Sequence, residues 1–151
     1  MKKNELILLG VLFFADILSK YLLEHFIILG TSIQLIPNFF YLTTVHNTGA
    51  AWGILNGRME FFFVVTLVVV ALIGVMLFDE KTKKPLLRTS LVMILAGTLG
   101  NFYDRLVFGY VRDFLDFYVF GYNYPVFNFA DCFLVIGFFL LAYFILTSDE
   151  E

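Results

Sequence analysis

Four aspartates lie near the C-terminal end of an otherwise strongly apolar chain, and asparagines frame two of them. The aspartates and their frames are Asp104, Asp113, Asp116 and Asp131, in Asn101-Phe-Tyr-Asp104-Arg105 and Asn128-Phe-Ala-Asp131. An ionisable side chain at or near a bilayer is costly, so it indicates a functional site. Two carboxylates that converge in apolar surroundings share one proton, because repulsion and desolvation raise one pKa. One then acts as a base on water while its protonated partner polarises a carbonyl.

Asp113 and Asp131 are the candidates for this pair, and Asp116 is a rival to Asp113. Ion pathways and proton relays use the same groups, so the residue types alone leave hydrolysis and transport open. Other chemistry is disfavoured. The histidines lack a third zinc ligand, the serines lack a histidine at a compatible depth, and no phosphate, calcium or nucleic-acid motif is present. We therefore expect no metal, no organic cofactor and no nucleic-acid partner.

The composition places the chain in a membrane. Of its 151 residues, 60% are hydrophobic and 15% are charged, and the mean hydropathy is +0.87. About a quarter of the residues in a soluble domain are charged, so we expect an integral membrane protein that is mainly α-helical. A helix needs about 20 mostly apolar residues to cross the hydrocarbon. We predict one membrane-embedded domain over residues 1–151, with four spans at about 6–29, 61–78, 86–108 and 126–146.

Basic residues indicate the orientation of these spans. They are concentrated at the N-terminus and between the second and third spans, as Lys2, Lys3, Lys81, Lys83, Lys84 and Arg88. Because short loops rich in Lys and Arg stay inside, both termini and the 79–88 loop are predicted to be cytoplasmic. The acidic cluster then lies at the outer face of the membrane. A transporter would usually place its site near the midplane, so this depth favours hydrolysis.

The link between the first two spans, about residues 30–57, differs from the other connections. It alternates β-branched and aromatic residues with polar ones, and Pro37 and several glycines interrupt it. This pattern is typical of short strands. We predict a small extracytoplasmic β-rich segment on the outer leaflet, since open sheet edges cannot face lipid within the core.

Asp16 and Lys20 are four residues apart in the first span and share one helix face. One interpretation is an ion pair within the helix that allows the helix to insert. The other places Lys20 beside the acidic cluster or a substrate carbonyl. Neither charge can face lipid, so both interpretations turn this face into the helix bundle.

Two further segments combine small and polar residues. They are His46-Asn47-Thr48-Gly49-Ala50-Ala51-Trp52-Gly53, and Gly97 and Gly100 followed by Asn101 to Arg105. The first permits close backbone approach, either as a tight loop packed on the helices or around a ligand, and Asn47 suits an extended peptide. In the second, an ion pair between Asp104 and Arg105 is the favoured interpretation, and lipid phosphate is another partner for Arg105.

Taken in order, these motifs resemble lipoprotein signal peptidase, also called signal peptidase II, a bacterial family of aspartic peptidases. The matching segments are Asp16-Ile-Leu-Ser-Lys20, Asn47-Thr-Gly-Ala-Ala-Trp-Gly53, Gly100-Asn-Phe-Tyr-Asp-Arg105 with Gly109, Val111-Arg-Asp113-Phe and Phe127-Asn-Phe-Ala-Asp131. They extend from the first span to the last and cover essentially the whole chain. Ser19, Trp52 and Cys132 stand where the family frequently has Thr, Phe and Ser, and none of these departures touches the inferred catalytic pair.

The resemblance implies a role for each matched residue. It puts the catalytic pair at Asp113 and Asp131 and keeps Asp104 as an alternate partner. It assigns a set of residues to support or substrate binding, namely Asp16, Lys20, Asn47, Gly49, Asn101, Asp104, Arg105, Asn128 and Ala130. It also implies that the external strands form a cradle on the outer leaflet and that globomycin-type peptides block the cleft.

The expected function is removal of the signal peptide from diacylglyceryl-modified prolipoproteins at the outer face of the bacterial cytoplasmic membrane. By resemblance, cleavage falls just before the lipidated cysteine, and the acyl chains lie between helices. Membrane lipids are further expected partners, and nothing demands more than a monomer. The alternatives are a proton- or cation-coupled transporter, which predicts carboxylates near the midplane, and a non-enzymatic scaffold, which leaves the polar residues unexplained.

Overall fold

The structure is a computed structural model that describes residues 1–50, 54–79 and 82–148. Its helices and strands are α1 (Lys3–Phe26), β1 (Ser32–Ile36), β2 (Phe40–Asn47), α2 (Met59–Phe78), α3 (Pro85–Phe108), β3 (Val111–Val119), β4 (Tyr122–Asn123) and α4 (Phe129–Ser148). Two predicted features lie outside the described residues: the Ala51-Trp52-Gly53 end of the small-residue segment, and Lys81 of the basic loop.

Within the described ranges, four helices are long and apolar enough to cross a membrane, with mean hydropathies between 1.3 and 3.0. The predicted integral membrane class, mainly α-helical with a small sheet, is confirmed, and the chain is a multi-pass membrane protein. The first span ends at Phe26, earlier than predicted, because the next residues bond to the sheet. The Thr44 hydroxyl donates to the Ile27 carbonyl, and the Gly30 N–H donates to the Thr44 carbonyl.

The helix α3 is the centre of the bundle. It packs against α1, α2 and α4, and half of its most apolar stretch is buried, against 11–17% for the other helices. Its packing against α2 forms the main apolar core, which consists of Ile73, Leu77, Leu91, Val92, Ile94 and Leu95. Gly109 caps the C-terminal end of the helix, and its φ of 79° is a left-handed conformation that favours glycine. The chain then turns directly into β3.

The strands of the described part form one antiparallel sheet in the order β1-β2-β3-β4. The predicted β-rich segment supplies β1 and β2, but β3 and β4 come from the connection between α3 and α4, where no strand was predicted. The β3 strand is buried along six consecutive residues, so its sequence lacks the alternation of a half-exposed strand. Pairing of Val45 with Asp113 and of Asn47 with Val111 fixes the register next to the acidic residues.

The fourth span begins at Phe129, three residues later than predicted, because the preceding residues belong to the sheet region. Phe127 forms a β-bridge with Leu115, and Asn128 bonds to the first turn of α4. The late start brings the third residue of α4 beside the third residue of β3, and these two residues are Asp131 and Asp113.

Candidate active site

Asp113 and Asp131 line the same cavity, which has a volume of about 760 Å³. Asp113 is 3% exposed. The cavity lies between α2, α3 and α4, and the end of β2 and the segment before α4 close one side of it. The structure therefore brings together the two carboxylates that the sequence selected as a pair.

Asn128 links the two carboxylates. Its side-chain amide donates to Asp113 Oδ1 at 2.6 Å, and its backbone N–H donates to Asp131 Oδ2 at 3.0 Å. In return, the Asp131 N–H donates to Asn128 Oδ1 at 3.1 Å. This exchange is the capping-box arrangement of a helix N-terminus, and it fixes both residues relative to the start of α4.

Two further asparagines occupy the remaining carboxylate oxygens. Asn47 Nδ2 donates to Asp113 Oδ2 at 2.8 Å, and Asn101 Nδ2 donates to Asp131 Oδ1 at 2.7 Å. Each oxygen of the pair thus accepts one N–H bond from the described residues. Since a carboxylate oxygen can accept about two bonds, each retains capacity for a proton or a water molecule.

Lys20 and Asn128 fix the orientation of the Asn101 amide. The Lys20 ammonium donates to Asn101 Oδ1 at 3.2 Å, and Asn128 Nδ2 donates to the same oxygen at 3.1 Å, so Asn101 Nδ2 points toward Asp131. Lys20 also forms the predicted ion pair with Asp16, at 2.7 Å, and lies 3.4 Å from Asp104 Oδ2. One buried ammonium therefore makes the predicted ion pair and also lies beside Asp104 of the acidic cluster.

Asp16 joins three helices behind the cavity. Its Oδ1 accepts the Ala130 N–H at 2.9 Å, and both residues are fully buried. A Cβ atom on Gly100 would lie only 2.6 Å from Asp16 Oδ2, so a residue without a side chain is required there. These contacts hold α1, α3 and α4 together at the level of Asp131.

The predicted ion pair between Asp104 and Arg105 is wrong. Asp104 pairs with Arg112 instead: Nη2 lies 2.7 Å from Oδ1, and the Arg112 N–H donates to Oδ2 at 3.0 Å. Successive helix residues point about 100° apart, so Arg105 is turned away from the side that Asp104 presents to β3. No sequence signal points to Arg112 except its place directly before Asp113, because its partner Asp104 lies eight residues earlier, on the other side of the turn between α3 and β3.

Arg105 faces the cavity. Its Nη2 donates to the Gly49 carbonyl at 3.1 Å, and its guanidinium lies 4.3 Å from the centre of the Phe62 ring. Asn47 Oδ1 accepts the Gly49 N–H at 2.9 Å, so the small-residue segment forms a tight turn here. Arg105 Nε is buried and has no hydrogen-bond partner among the described residues. The site thus presents a cation beside the two carboxylates.

The rival aspartate is placed elsewhere. Asp116 is paired in register with Tyr41 on the sheet, is 7% exposed, and is absent from the described lining of the cavity. Burial raises the pKa of Asp116 above its usual range. Asp104 is also absent from that lining, so neither residue shares the position of Asp113 and Asp131.

Burial and the neighbouring charge of Asp131 raise the pKa of Asp113 to about 7, against the smaller opposing effects of Asn47 and Asn128. Behind the cavity, Asp16 and Asp104 are balanced by Lys20 and Arg112. Among the described residues, no group of three or more His, Cys, Asp or Glu side chains is placed to hold a metal ion. The arrangement can hold a proton and orient a water molecule between two carboxyl groups.

Comparison with known proteins assigns the family. The family model described as Signal peptidase (SPase) II matches residues 8–147. A lipoprotein signal peptidase of Staphylococcus carnosus strain TM300 is 41% identical over 136 residues, which cover 90% of this chain and 86% of that protein. One from Staphylococcus aureus strain bovine RF122 / ET3-1 is 38% identical over 138 residues, covering 90% and 85%.

Solved structures are similar over the same length. Two bacterial membrane enzymes determined by the in meso method, at 2.3 and 1.9 Å resolution, match with TM-scores of 0.90 and 0.87, each at 34% identity. The matches cover 98% and 95% of this chain and 92% and 93% of those chains. The sequence motifs, the fold and these matches agree, and the chain belongs to the signal peptidase II family of peptidases.

Proposed function

We propose that the chain is an intramembrane aspartic endopeptidase whose reactive groups are Asp113 and Asp131. One observation carries the proposal: both carboxylates line one cavity, and Asn128 donates to one from its side chain and to the other from its backbone. A pair fixed in this way can bind one water molecule and one proton without any metal. Asp104 and Asp116 are not part of the proposed pair, because neither lines the described part of the cavity.

The pair keeps one proton below about pH 7. The pKa of Asp113 is raised to about 7, so a second negative charge beside Asp131 is unfavourable there. With one shared proton, the pair and the Arg105 cation that lines the same cavity sum to zero charge. This balance suits a desolvated site, where an uncompensated charge is costly.

Hydrolysis then proceeds by general acid–base catalysis. The ionised carboxylate takes a proton from water as the water oxygen attacks the scissile carbonyl carbon, and the protonated carboxyl group donates its proton to the carbonyl oxygen. When the tetrahedral intermediate collapses, the C–N bond breaks, the leaving nitrogen takes a proton from the first carboxyl group, and the second carboxylate takes back a hydroxyl proton of the intermediate. The pair therefore ends the cycle with one proton, as it began.

The proposed substrates are diacylglyceryl-modified prolipoproteins, cut just before the lipidated cysteine. The name lipoprotein signal peptidase, which the relatives carry, supports this substrate class. The distribution of Lys and Arg supports an orientation with both termini in the cytoplasm of a bacterium and the cavity at the outer leaflet. In that position, the start of α4 lies at the membrane surface, where the lipid of the substrate anchors the scissile peptide bond.

The proposal is tested with purified protein reconstituted in lipid and a diacylglyceryl-modified precursor. Replacement of either reactive group, Asp113→Asn or Asp131→Asn, should lower kcat by at least about a hundredfold, the usual contribution of general acid–base catalysis. Asp116→Asn is the matched control, since it makes the same change on the same strand outside the described lining of the cavity. Wild-type cleavage by Asp113→Asn, or loss of cleavage in Asp116→Asn alone, would show that the pair is misassigned.

We further propose that the protein acts as a monomer and that globomycin-type peptides bind in the cavity of Asp113 and Asp131. Such a peptide should inhibit cleavage competitively with the precursor. Its affinity should fall in Phe62→Ala, which removes a cavity-lining ring that contacts Arg105. Activity per molecule that rises with the protein-to-lipid ratio would contradict a monomeric enzyme.

A further inference from the structure

We infer that Glu24 of α1 is a positioning residue for the proposed reaction, because it bridges β2 and β3 behind the cavity and holds Asn47 against Asp113. The inference rests on the proposed function, since it concerns the alignment of the proposed carboxylate pair. Glu24 lies near the outer end of α1, four residues after Lys20. It does not touch the pair itself and acts through the two strands.

Glu24 contacts both strands at one level of the sheet. Its Oε1 lies 2.8 Å from His46 Nε2, and its Oε2 accepts a bond from Arg112 Nη1 at 3.4 Å. His46 and Arg112 are directly opposite each other in the register of β2 and β3. The His46 ring also stacks on Tyr110, with the ring centroids 3.7 Å apart. The Glu24 bridge therefore links two neighbouring strands through a paired position.

The next residue on each strand belongs to the site. Asn47 follows His46 on β2, and Asp113 follows Arg112 on β3. Successive side chains of a strand point to opposite faces, so the bridged residues face α1 while Asn47 and Asp113 face the cavity, which both of them line. The Glu24 bridge thus lies directly behind the bond between Asn47 and Asp113.

That bond depends on how the two strands lie against each other. Asn47 is paired with Val111, but it donates to Asp113, two residues further along β3, at 2.8 Å. Such a diagonal contact is longer than a direct cross-strand contact, so sliding or twisting of one strand changes it first. Only three described pairs lie beyond the shift in register that precedes Val45. The Glu24 bridge opposes such movement in this short part of the ladder.

One face of α1 holds all the parts of the site together. Asp16, Lys20 and Glu24 are spaced at intervals of four residues and therefore share a helix face. Asp16 accepts the Ala130 N–H at the start of α4. Lys20 donates to Asn101 of α3. Glu24 extends the same arrangement to β2 and β3, so this face contacts each element that supplies or orients a carboxylate of the pair.

Loss of the Glu24 bridge should leave the fold intact. The side chains of Glu24 and His46 are 31% and 28% exposed, and exposed ion pairs add little to stability. Arg112 keeps its bonds to Asp104, so its charge stays compensated. The effect of a Glu24 substitution should therefore appear in catalysis.

The test uses the reconstituted protein and the diacylglyceryl-modified precursor. Glu24→Leu should lower kcat about tenfold while KM stays within about twofold. Glu24→Asp keeps the negative charge but is one methylene shorter, so it cannot reach both strands and should lose nearly as much kcat. Glu60→Leu is the control, because it removes the same charge from an exposed position on α2 outside the described lining of the cavity.

The pH profile separates position from charge. Asn47 lowers the pKa of Asp113 by donating to its ionised form. If Glu24→Leu weakens that bond, the pKa of Asp113 rises and the alkaline limb of kcat/KM moves to higher pH. Removal of a nearby negative charge alone would lower the pKa and move the limb to lower pH. The other charged groups near Asp113 are unchanged in the variant, namely Asp131 on α4, Lys20 on α1 and Arg105 on α3.

A double variant tests whether Glu24 acts through Asn47. Glu24→Leu/Asn47→Leu should have a kcat/KM within about twofold of that of Asn47→Leu, because both changes remove the same contact. A further tenfold loss in the double variant, full activity of Glu24→Asp, or an alkaline limb at lower pH would each overturn the inference. Equal kcat in the wild type and Glu24→Leu would also overturn it. If the wild type does not cleave the precursor at all, the proposed function itself fails, which is a different result.

Discussion

Asn128 and Asp131 are bonded to each other in both directions at the start of α4. The Asn128 N–H donates to Asp131 Oδ2 at 3.0 Å, and the Asp131 N–H donates to Asn128 Oδ1 at 3.1 Å. The exchange caps the helix and leaves the Asn128 amide nitrogen free to donate to Asp113 Oδ1 at 2.6 Å. The residues that begin the helix therefore also position the carboxylate pair.

This double role can be separated by two substitutions of Asn128. Asn128→Ala removes both the cap and the bond to Asp113. It should destabilise the protein by about 1 kcal/mol and lower kcat about a hundredfold. Ser keeps a cap but has no amide nitrogen to donate. Asn128→Ser should retain nearly wild-type thermal stability and still lose most of kcat. Full kcat in the Ser variant would show that the bond to Asp113 is not required.

The dependence of activity on pH should follow Asp113. Its pKa is raised to about 7, so the pair keeps its proton below that pH and loses it above, and kcat/KM should fall on the alkaline side of about 7. Asn47 donates to the ionised form of Asp113 and lowers its pKa. Asn47→Leu should therefore move the alkaline limb to higher pH.

Asn47→Leu should also lower kcat/KM about tenfold, because Asp113 loses one of the two side-chain bonds that the described residues donate to it. Asn123→Leu serves as the control, since Asn123 bonds to Tyr118 on the exposed part of the sheet. The measurement is a profile of kcat/KM against pH for the three proteins. An alkaline limb that moves to lower pH in Asn47→Leu would contradict the assignment to Asp113.

Lys20 should act on catalysis through Asn101. Lys20→Met leaves Asp16 and Asp104 partly uncompensated in a buried site, which should cost about 3–5 kcal/mol of stability. The double variant Lys20→Met/Asp16→Asn restores the charge balance but removes one of the two described bonds to Asn101 Oδ1, leaving the one from Asn128. We expect it to recover much of the stability while kcat stays about tenfold low and KM changes little.

The single variant Asp16→Asn is the matched control for that experiment. It keeps Lys20, and hence the bond to Asn101, while an amide oxygen can still accept the Ala130 N–H. Its kcat should stay close to that of the wild type. If the double variant recovers kcat together with stability, Lys20 contributes charge alone and does not position Asn101.

Asp104 should prove structural. Asp104→Asn weakens the buried pair with Arg112, in which Nη2 lies 2.7 Å from Oδ1, and should lower stability by about 3 kcal/mol. Asp104 does not line the described part of the cavity, so the folded variant should retain kcat within about threefold, whereas Asp113→Asn should not. Loss of kcat in Asp104→Asn without loss of stability would return Asp104 to the reactive pair.

The membrane helices could be predicted from the composition of the chain. Long uncharged runs predict membrane helices wherever they occur, because the cost of burying polar groups in hydrocarbon leaves few alternatives. The strand β3 was missed because it is buried on both faces and carries Arg112, Asp113 and Asp116, so it shows neither the alternation of a surface strand nor the apolar run of a core strand. Its place in the sheet depends on pairing with β2, a segment more than 60 residues earlier.

The sequence by itself determined that the chain spans a membrane, and its motifs were enough to select Asp113 and Asp131 as a pair. It did not determine how the charges are partnered. Neighbouring positions favoured Asp104 with Arg105, whereas the tertiary structure pairs Asp104 with Arg112 and turns Arg105 into the cavity. Adjacent residues on a helix point in different directions, so the packing of α3, β3 and α1 decides which charged side chains meet. The same packing holds α2 and α4 apart on α3 and leaves the cavity between them, and no local pattern in the sequence encodes that separation.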